Sequence, residues 1–170
     1  MLRRMRSVLP VVMTTLLSSL AFAHAARADE KTEAFPIGHL MFGMGGASGG
    51  PTHQPFRAGL DASVGVLIGD SNTGSVWTVA PSLITGLGKY PTYASLDLGR
   101  SLFGAGQFSA YTGLALTGGP VFRVDPSTGA GGEVCVRVWF VIAQAGVRAI
   151  AIVTNGPEVQ IEGLVGVGFM

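Results

Sequence analysis

The sequence predicts an all-β chain, an eight-stranded antiparallel up-and-down transmembrane β-barrel. Three observations predict it. Hydrophobic residues make up 48% of the chain and charged residues only 12%, about half the charged share of typical soluble domains. Yet residues 29–170 hold no apolar run long enough for a membrane helix, which needs about 20 residues. Turn chemistry also recurs along the chain, and the segments between turns have strand length and alternate apolar with small or charged residues.

Residues 1–28 read as a cleaved signal peptide. Arg3, Arg4 and Arg6 form a basic start, and Val8 to Ala23 is a short apolar run. The small-residue pattern Ala26-Arg27-Ala28 then precedes the acidic pair Asp29-Glu30, with Ala21-Phe22-Ala23 as a second possible cleavage pattern. Residues 29–170 form the barrel domain. Removing the leader leaves seven basic against ten acidic residues, a net charge of −3. No basic patch remains, so nucleic acid is not an expected partner. Cys135 is the single cysteine, which excludes a disulfide-stapled scaffold.

The strands follow from the punctuation. The first is expected over 36–45, before a Gly-rich stretch that ends at Pro55. The second (56–68) stops at Asp70-Ser71-Asn72-Thr73-Gly74. The third (75–87) stops at Gly88-Lys89-Tyr90-Pro91, and Pro81 inside it predicts a bulge. The fourth (92–102) ends before Gly104-Ala105-Gly106. The fifth (107–118) is followed by a long loop over 119–131 that contains Asp125-Pro126-Ser127-Thr128-Gly129. The sixth (132–142) and seventh (145–153) are parted at Ala143-Gln144-Ala145. The eighth (158–169) follows Asn155-Gly156-Pro157.

Alternation gives each strand two faces. In 132–142 one face is Val134, Val136, Val138, Phe140 and Ile142, and the other is Glu133, Cys135, Arg137, Trp139 and Val141. In the last strand Val159, Ile161, Val165, Val167 and Phe169 oppose Gln160, Glu162 and Leu164. A soluble barrel would carry many Lys and Glu outside. Here the second face is mostly Gly, Ser, Ala and Thr, and residues 29–170 contain two Lys. Small residues fit a narrow interior, so the apolar face is expected to meet lipid. Asp61, Asp97, Glu133, Arg137, Arg148 and Glu162 are then lumenal, where they can pair into a structural network; a narrow ion path is the functional alternative. Arg148 inside carries Ile150 and Ile152 inside with it. Arg100 shares the apolar face of its strand and is expected to reach a membrane interface. Trp77, Tyr90, Tyr93, Phe103, Phe108 and Phe122 are candidates for interface girdles.

No motif for catalysis stands up. Gly46-Ala47-Ser48-Gly49-Gly50 matches the nucleophile-elbow pattern, but the elbow needs a strand before and a helix after. Neither Gly43-Met44-Gly45 nor Gly104-Ala105-Gly106 completes a dinucleotide loop. After leader removal only His39 and His53 remain with Cys135, which suits no zinc site. His39 is expected near a membrane interface and His53 in a loop. No cofactor, metal or catalytic residue is therefore expected.

The ending Val159-Gln160-Ile161-Glu162-Gly163-Leu164-Val165-Gly166-Val167-Gly168-Phe169 resembles the C-terminal strand of small bacterial outer-membrane β-barrels of the OmpA and OmpX class. Met170 after Phe169 departs from the family's aromatic ending. The resemblance implies outer-membrane location, with lipid and the barrel-assembly machinery as partners and Phe169 as the C-terminal assembly signal. It implies periplasmic termini and outer loops near 46–55, 88–91, 119–131 and 154–157. The expected role is structural or adaptor, or a narrow channel, without catalysis. The alternatives are a soluble periplasmic barrel that binds a small apolar ligand, as lipocalins do, and, less favoured, an outer-membrane lipid-modifying enzyme.

Overall fold

Eight strands hydrogen-bond in chain order and close on themselves. The computed structural model describes residues 32–50, 55–70, 75–87, 91–103 and 112–169. The strands are β1 (Thr32–Gly49), β2 (Phe56–Asp70), β3 (Ser75–Gly86), β4 (Thr92–Phe103), β5 (Thr112–Asp125), β6 (Gly129–Phe140), β7 (Ala143–Ile152) and β8 (Glu158–Phe169). Every neighbouring pair is antiparallel, and β1 pairs β8 to complete the ring. Among the described residues no helix is long and apolar enough to cross a membrane. The expected leader, 1–28, lies outside the described residues.

Closure requires the strands to tilt and their register to stagger. The stagger can be followed directly. Gly168 faces His39, then Ser63, Ser82, Ser95, Val121, Gly131 and Ile152, which faces Glu158. One circuit thus returns to β8 ten residues from its start, at Glu158 rather than Gly168. The start of β1 and the end of β8 lie at one rim, called the termini end. The opposite rim carries the β1–β2, β3–β4, β5–β6 and β7–β8 connections.

Four local features differ from the sequence expectation. β1 runs on through the Gly-rich stretch to Gly49, because β8 offers it partners as far as Glu158. Glycine is needed there: a Cβ on Gly45 would lie 1.9 Å from the Ile161 carbonyl oxygen. β5 passes through Gly118-Gly119-Pro120 and ends at Asp125, so the loop expected over 119–131 shrinks to residues 126–128. The strand tolerates Pro120 because the β4–β5 ladder skips that level while the β5–β6 ladder continues through it. Pro81 makes no bulge. The β2–β3 register is the same on both sides of it, and the ladder simply lacks pairs there. The β6–β7 turn is Val141-Ile142, two residues before the expected break, and Val141 takes a positive φ of 56°.

The lumen as the candidate functional site

Inward side chains follow from strand parity. On β6, Glu133, Cys135 and Arg137 are buried while Val134, Val136 and Val138 are exposed. β5 turns Ala115, Thr117, Val121 and Arg123 inward, and β8 turns Glu158, Gln160, Glu162 and Leu164 inward. The six charges singled out from sequence, Asp61, Asp97, Glu133, Arg137, Arg148 and Glu162, are all buried. Counting every described lumenal charge gives four arginines (Arg57, Arg123, Arg137, Arg148) and five carboxylates (Asp61, Asp97, Glu133, Glu158, Glu162).

These charges fall into two groups with an apolar layer beside them. At the mouth opposite the termini end, Glu158 sits between two arginines. Its Oε1 pairs with Arg57 and its Oε2 accepts from Arg123 Nη1 at 2.9 Å. The Tyr93 hydroxyl also donates to Glu158, and Arg57 reaches Gln160 Oε1 at 3.1 Å. Arg123 fastens this cluster to the turns. Its Nε donates to the Ser127 carbonyl at 3.0 Å and its Nη1 to the Gly156 carbonyl at 3.1 Å, and its Nη2 donates to the Asn155 carbonyl. The β5–β6 and β7–β8 connections are thereby tied to the mouth cluster. Ile84, Tyr93, Val121, Ile150 and Ile152 pack together as an apolar layer in the same half.

Farther in, Arg148 bridges two carboxylates. It donates from Nη1 to Asp61 Oδ2 at 2.7 Å and from Nε to Glu162 Oε1 at 2.6 Å. Gln160 Nε2 donates to the other Glu162 oxygen at 2.7 Å. Toward the termini end the contacts lengthen. Arg137 meets Asp97 at 3.5 Å and His39 Nδ1 at 3.2 Å, and His39 Nε2 lies 3.5 Å from Asp61. Glu133 is buried beside Asp97 and Ser95, yet neither of its oxygens meets full hydrogen-bond geometry among the described residues. Met41, Cys135 and Leu164 form a second small apolar cluster. Cys135 is a free, buried thiol.

Several expectations are corrected. Tyr93 is not a girdle residue but a buried member of the mouth cluster. Trp77 and Phe122 do face outward, while the side chains of Tyr90, Phe103 and Phe108 lie outside the described residues. His39 points into the lumen rather than toward an interface. Ser48 lies at an exposed position near the end of β1, facing Val159, and among the described residues no helix follows it. His53 lies outside the described residues. No group of three or more metal-ligating His, Cys, Asp or Glu side chains occurs among the described residues.

Arg123 and Glu158 went unremarked in the sequence. Arg123 fell in the expected loop and Glu158 was the first residue of a strand. Parity was the available signal. Carried through Pro120, the face of Thr117 includes Arg123, and the face of Glu162 includes Glu158.

The outer wall has the opposite chemistry. Leu40, Leu60, Leu98, Leu116, Val136 and Val165 are all among its large exposed apolar side chains. Lumenal arginines set in lipid instead would each cost roughly 2–4 kcal/mol near the bilayer midplane. Four such penalties leave one sensible orientation for the two faces. An apolar wall around a paired, charged lumen defines a transmembrane β-barrel. Arg100 is an exposed cation on that wall, and its guanidinium lies 5.8 Å from the centre of the Trp77 ring, a cation–π contact suited to an interface.

Among solved structures, the chain is similar to the outer membrane protein OprG from Pseudomonas aeruginosa. The identity is 11%, the TM-score 0.42, and the match covers 79% of this chain and 93% of that one. No family model matches the chain. No curated protein matches it either.

Proposed function

We propose that the protein is a sealed structural or adaptor barrel of the bacterial outer membrane, and not a conducting channel or an enzyme. The observation that carries this reading is the Arg57–Glu158–Arg123 clamp, which ties two turns to the lumen wall at one mouth. An eight-stranded barrel has an interior about wide enough for side chains to fill. Among the described residues the filling is a set of charges, most of them in ion pairs, and an apolar layer. Its role then lies in its wall and its turns. Lipid is the partner of the wall. The barrel-assembly machinery is the partner during insertion, with Phe169 as the signal at the end of β8, opposite Gly38 on β1. The lumen is the reverse of a lipocalin's apolar calyx, which weighs against a soluble ligand carrier.

Two measurements test the proposal. The mature protein should stay with membranes through salt washing and osmotic shock and require detergent for release. Reconstituted liposomes should swell in an isosmotic potassium chloride gradient no faster than protein-free liposomes. Release by shock would remove the membrane role, and fast swelling would replace the sealed barrel by a channel.

A further inference from the structure

Turns that face water are built from Gly, Asn, Asp and Pro. The β6–β7 turn is not. Its tip reads Phe140-Val141-Ile142, and these side chains are 67%, 47% and 61% exposed. Two-residue hairpins with a positive φ normally place Gly or Asn at that position. Val141 takes a φ of 56° there, which is a true outlier for a β-branched residue. The hairpin therefore accepts both a strained backbone and an exposed apolar tip. Neither is expected of a loop in water.

Its place in the barrel supplies the compensation. Phe140 continues the outward run Val134, Val136, Val138 without a break. The tip is also set back from the rim. β1 extends six residues, 32–37, past the level where Gly38 meets Phe169 at the end of β8. The tip, by contrast, lies beside the end of β8: Ala143 faces Val167, and the Ile142 carbonyl accepts from Gly168 N at 2.8 Å. Its height can be read against an interface marker. Trp77 faces Arg100, which faces Leu116, which faces Val136. The stagger raises each such step by a little over one residue. Phe140, four residues toward the termini end from Val136, returns to the level of Trp77 and Arg100. That is where amphipathic and aromatic side chains meet headgroups.

We propose that the β6–β7 tip is a lipid-binding element: Phe140, Val141 and Ile142 lie in the interfacial layer of the leaflet at the termini end and contact phospholipid. The proposal rests on the transmembrane reading above. Phospholipid is favoured over a protein partner because the tip is continuous with the lipid-facing wall and level with its interfacial tryptophan. The tip anchors the short side of a slanted rim, whose long side is β1 and β2.

The test uses nitroxide labels on the full barrel in phosphatidylcholine vesicles, in a Cys135→Ser background. Labels at Ile142→Cys, at Val136→Cys in the wall and at Asn155→Cys in the opposite turn are compared for collision with oxygen and with a water-soluble nickel chelate. The Ile142 label should resemble the Val136 label, favouring oxygen several-fold, while the Asn155 label favours nickel. Phe140→Cys carries the same readout if Ile142→Cys does not fold. A nickel-accessible Ile142 label beside a protected Val136 label overturns the proposal and leaves the transmembrane reading standing. Nickel access at Val136 as well removes both. Spin–spin broadening between tip labels would assign the tip to a second copy of the chain, which also overturns the proposal.

Discussion

The two halves of the lumen are built from the same residue types and differ in how completely those residues are satisfied. In the half beneath the β5–β6 and β7–β8 turns, Glu158 serves two arginines and a tyrosine, and Arg123 makes bonds to three carbonyls as well. In the half toward the termini end, Arg137 meets Asp97 at only 3.5 Å, and Asp97 Oδ1 and His39 Nε2 lack hydrogen-bond partners among the described residues. Burial is similar in the two halves, so desolvation is similar. The difference lies in what offsets it. A buried charge costs several kcal/mol unless good geometry and further hydrogen bonds repay it. On the proposed reading the clamped half is the seal, and the looser half is where substitution should be tolerated.

The sharpest break in this comparison is Glu158→Ala. It leaves Arg57 and Arg123 buried without their shared carboxylate, and should cost about 3–5 kcal/mol of barrel stability. Urea titration of folding into lipid vesicles would measure it. A cost below that of the next variant would reverse the ranking of the two halves.

Arg137→Ala comes second. Its bonds are longer and fewer, so the expected loss is about 1–3 kcal/mol, mainly from the unsatisfied acceptors it leaves on Asp97 and His39. The same titration compares the two variants directly, and a double variant with Glu158→Ala should be close to additive because the sites share no partner.

Glu133→Gln is the smallest. It removes a buried carboxyl that lies against the like-charged Asp97 without full hydrogen-bond geometry, and keeps the side-chain shape. Stability should change by less than about 1 kcal/mol, with a gain as the favoured sign. A loss as large as that of Glu158→Ala would mean that Glu133 is held by a contact as strong as the clamp.

Much of this was legible in the sequence. Period-two alternation separated Val134, Val136 and Val138 from Glu133, Cys135 and Arg137, and both sets lie where parity places them. The even strand count was also legible, since seven turn sites cut the barrel domain. What was obscured had physical causes. Gly118-Gly119-Pro120 reads as a break, but a paired strand carries it because one ladder skips that level. The loss of that stretch hid Arg123, and with it the clamp. The β6–β7 turn was misplaced onto Ala143-Gln144-Ala145 because turn chemistry assumes water, and Val141-Ile142 is apolar. The position of Tyr93 near a strand end points to a girdle, whereas its parity with Ser95 and Asp97 puts it inside.

We propose that side chains seal this barrel, with the clamp at Glu158 as the seal. Planar-bilayer recording tests it most directly, with the wild type and the Arg123→Ala/Glu158→Ala double variant inserted under the same conditions. A sealed barrel gives no resolved conductance for the wild type and measurable, voltage-independent steps for the double variant. A steady ohmic conductance in the wild type, unchanged in the double variant, would contradict it.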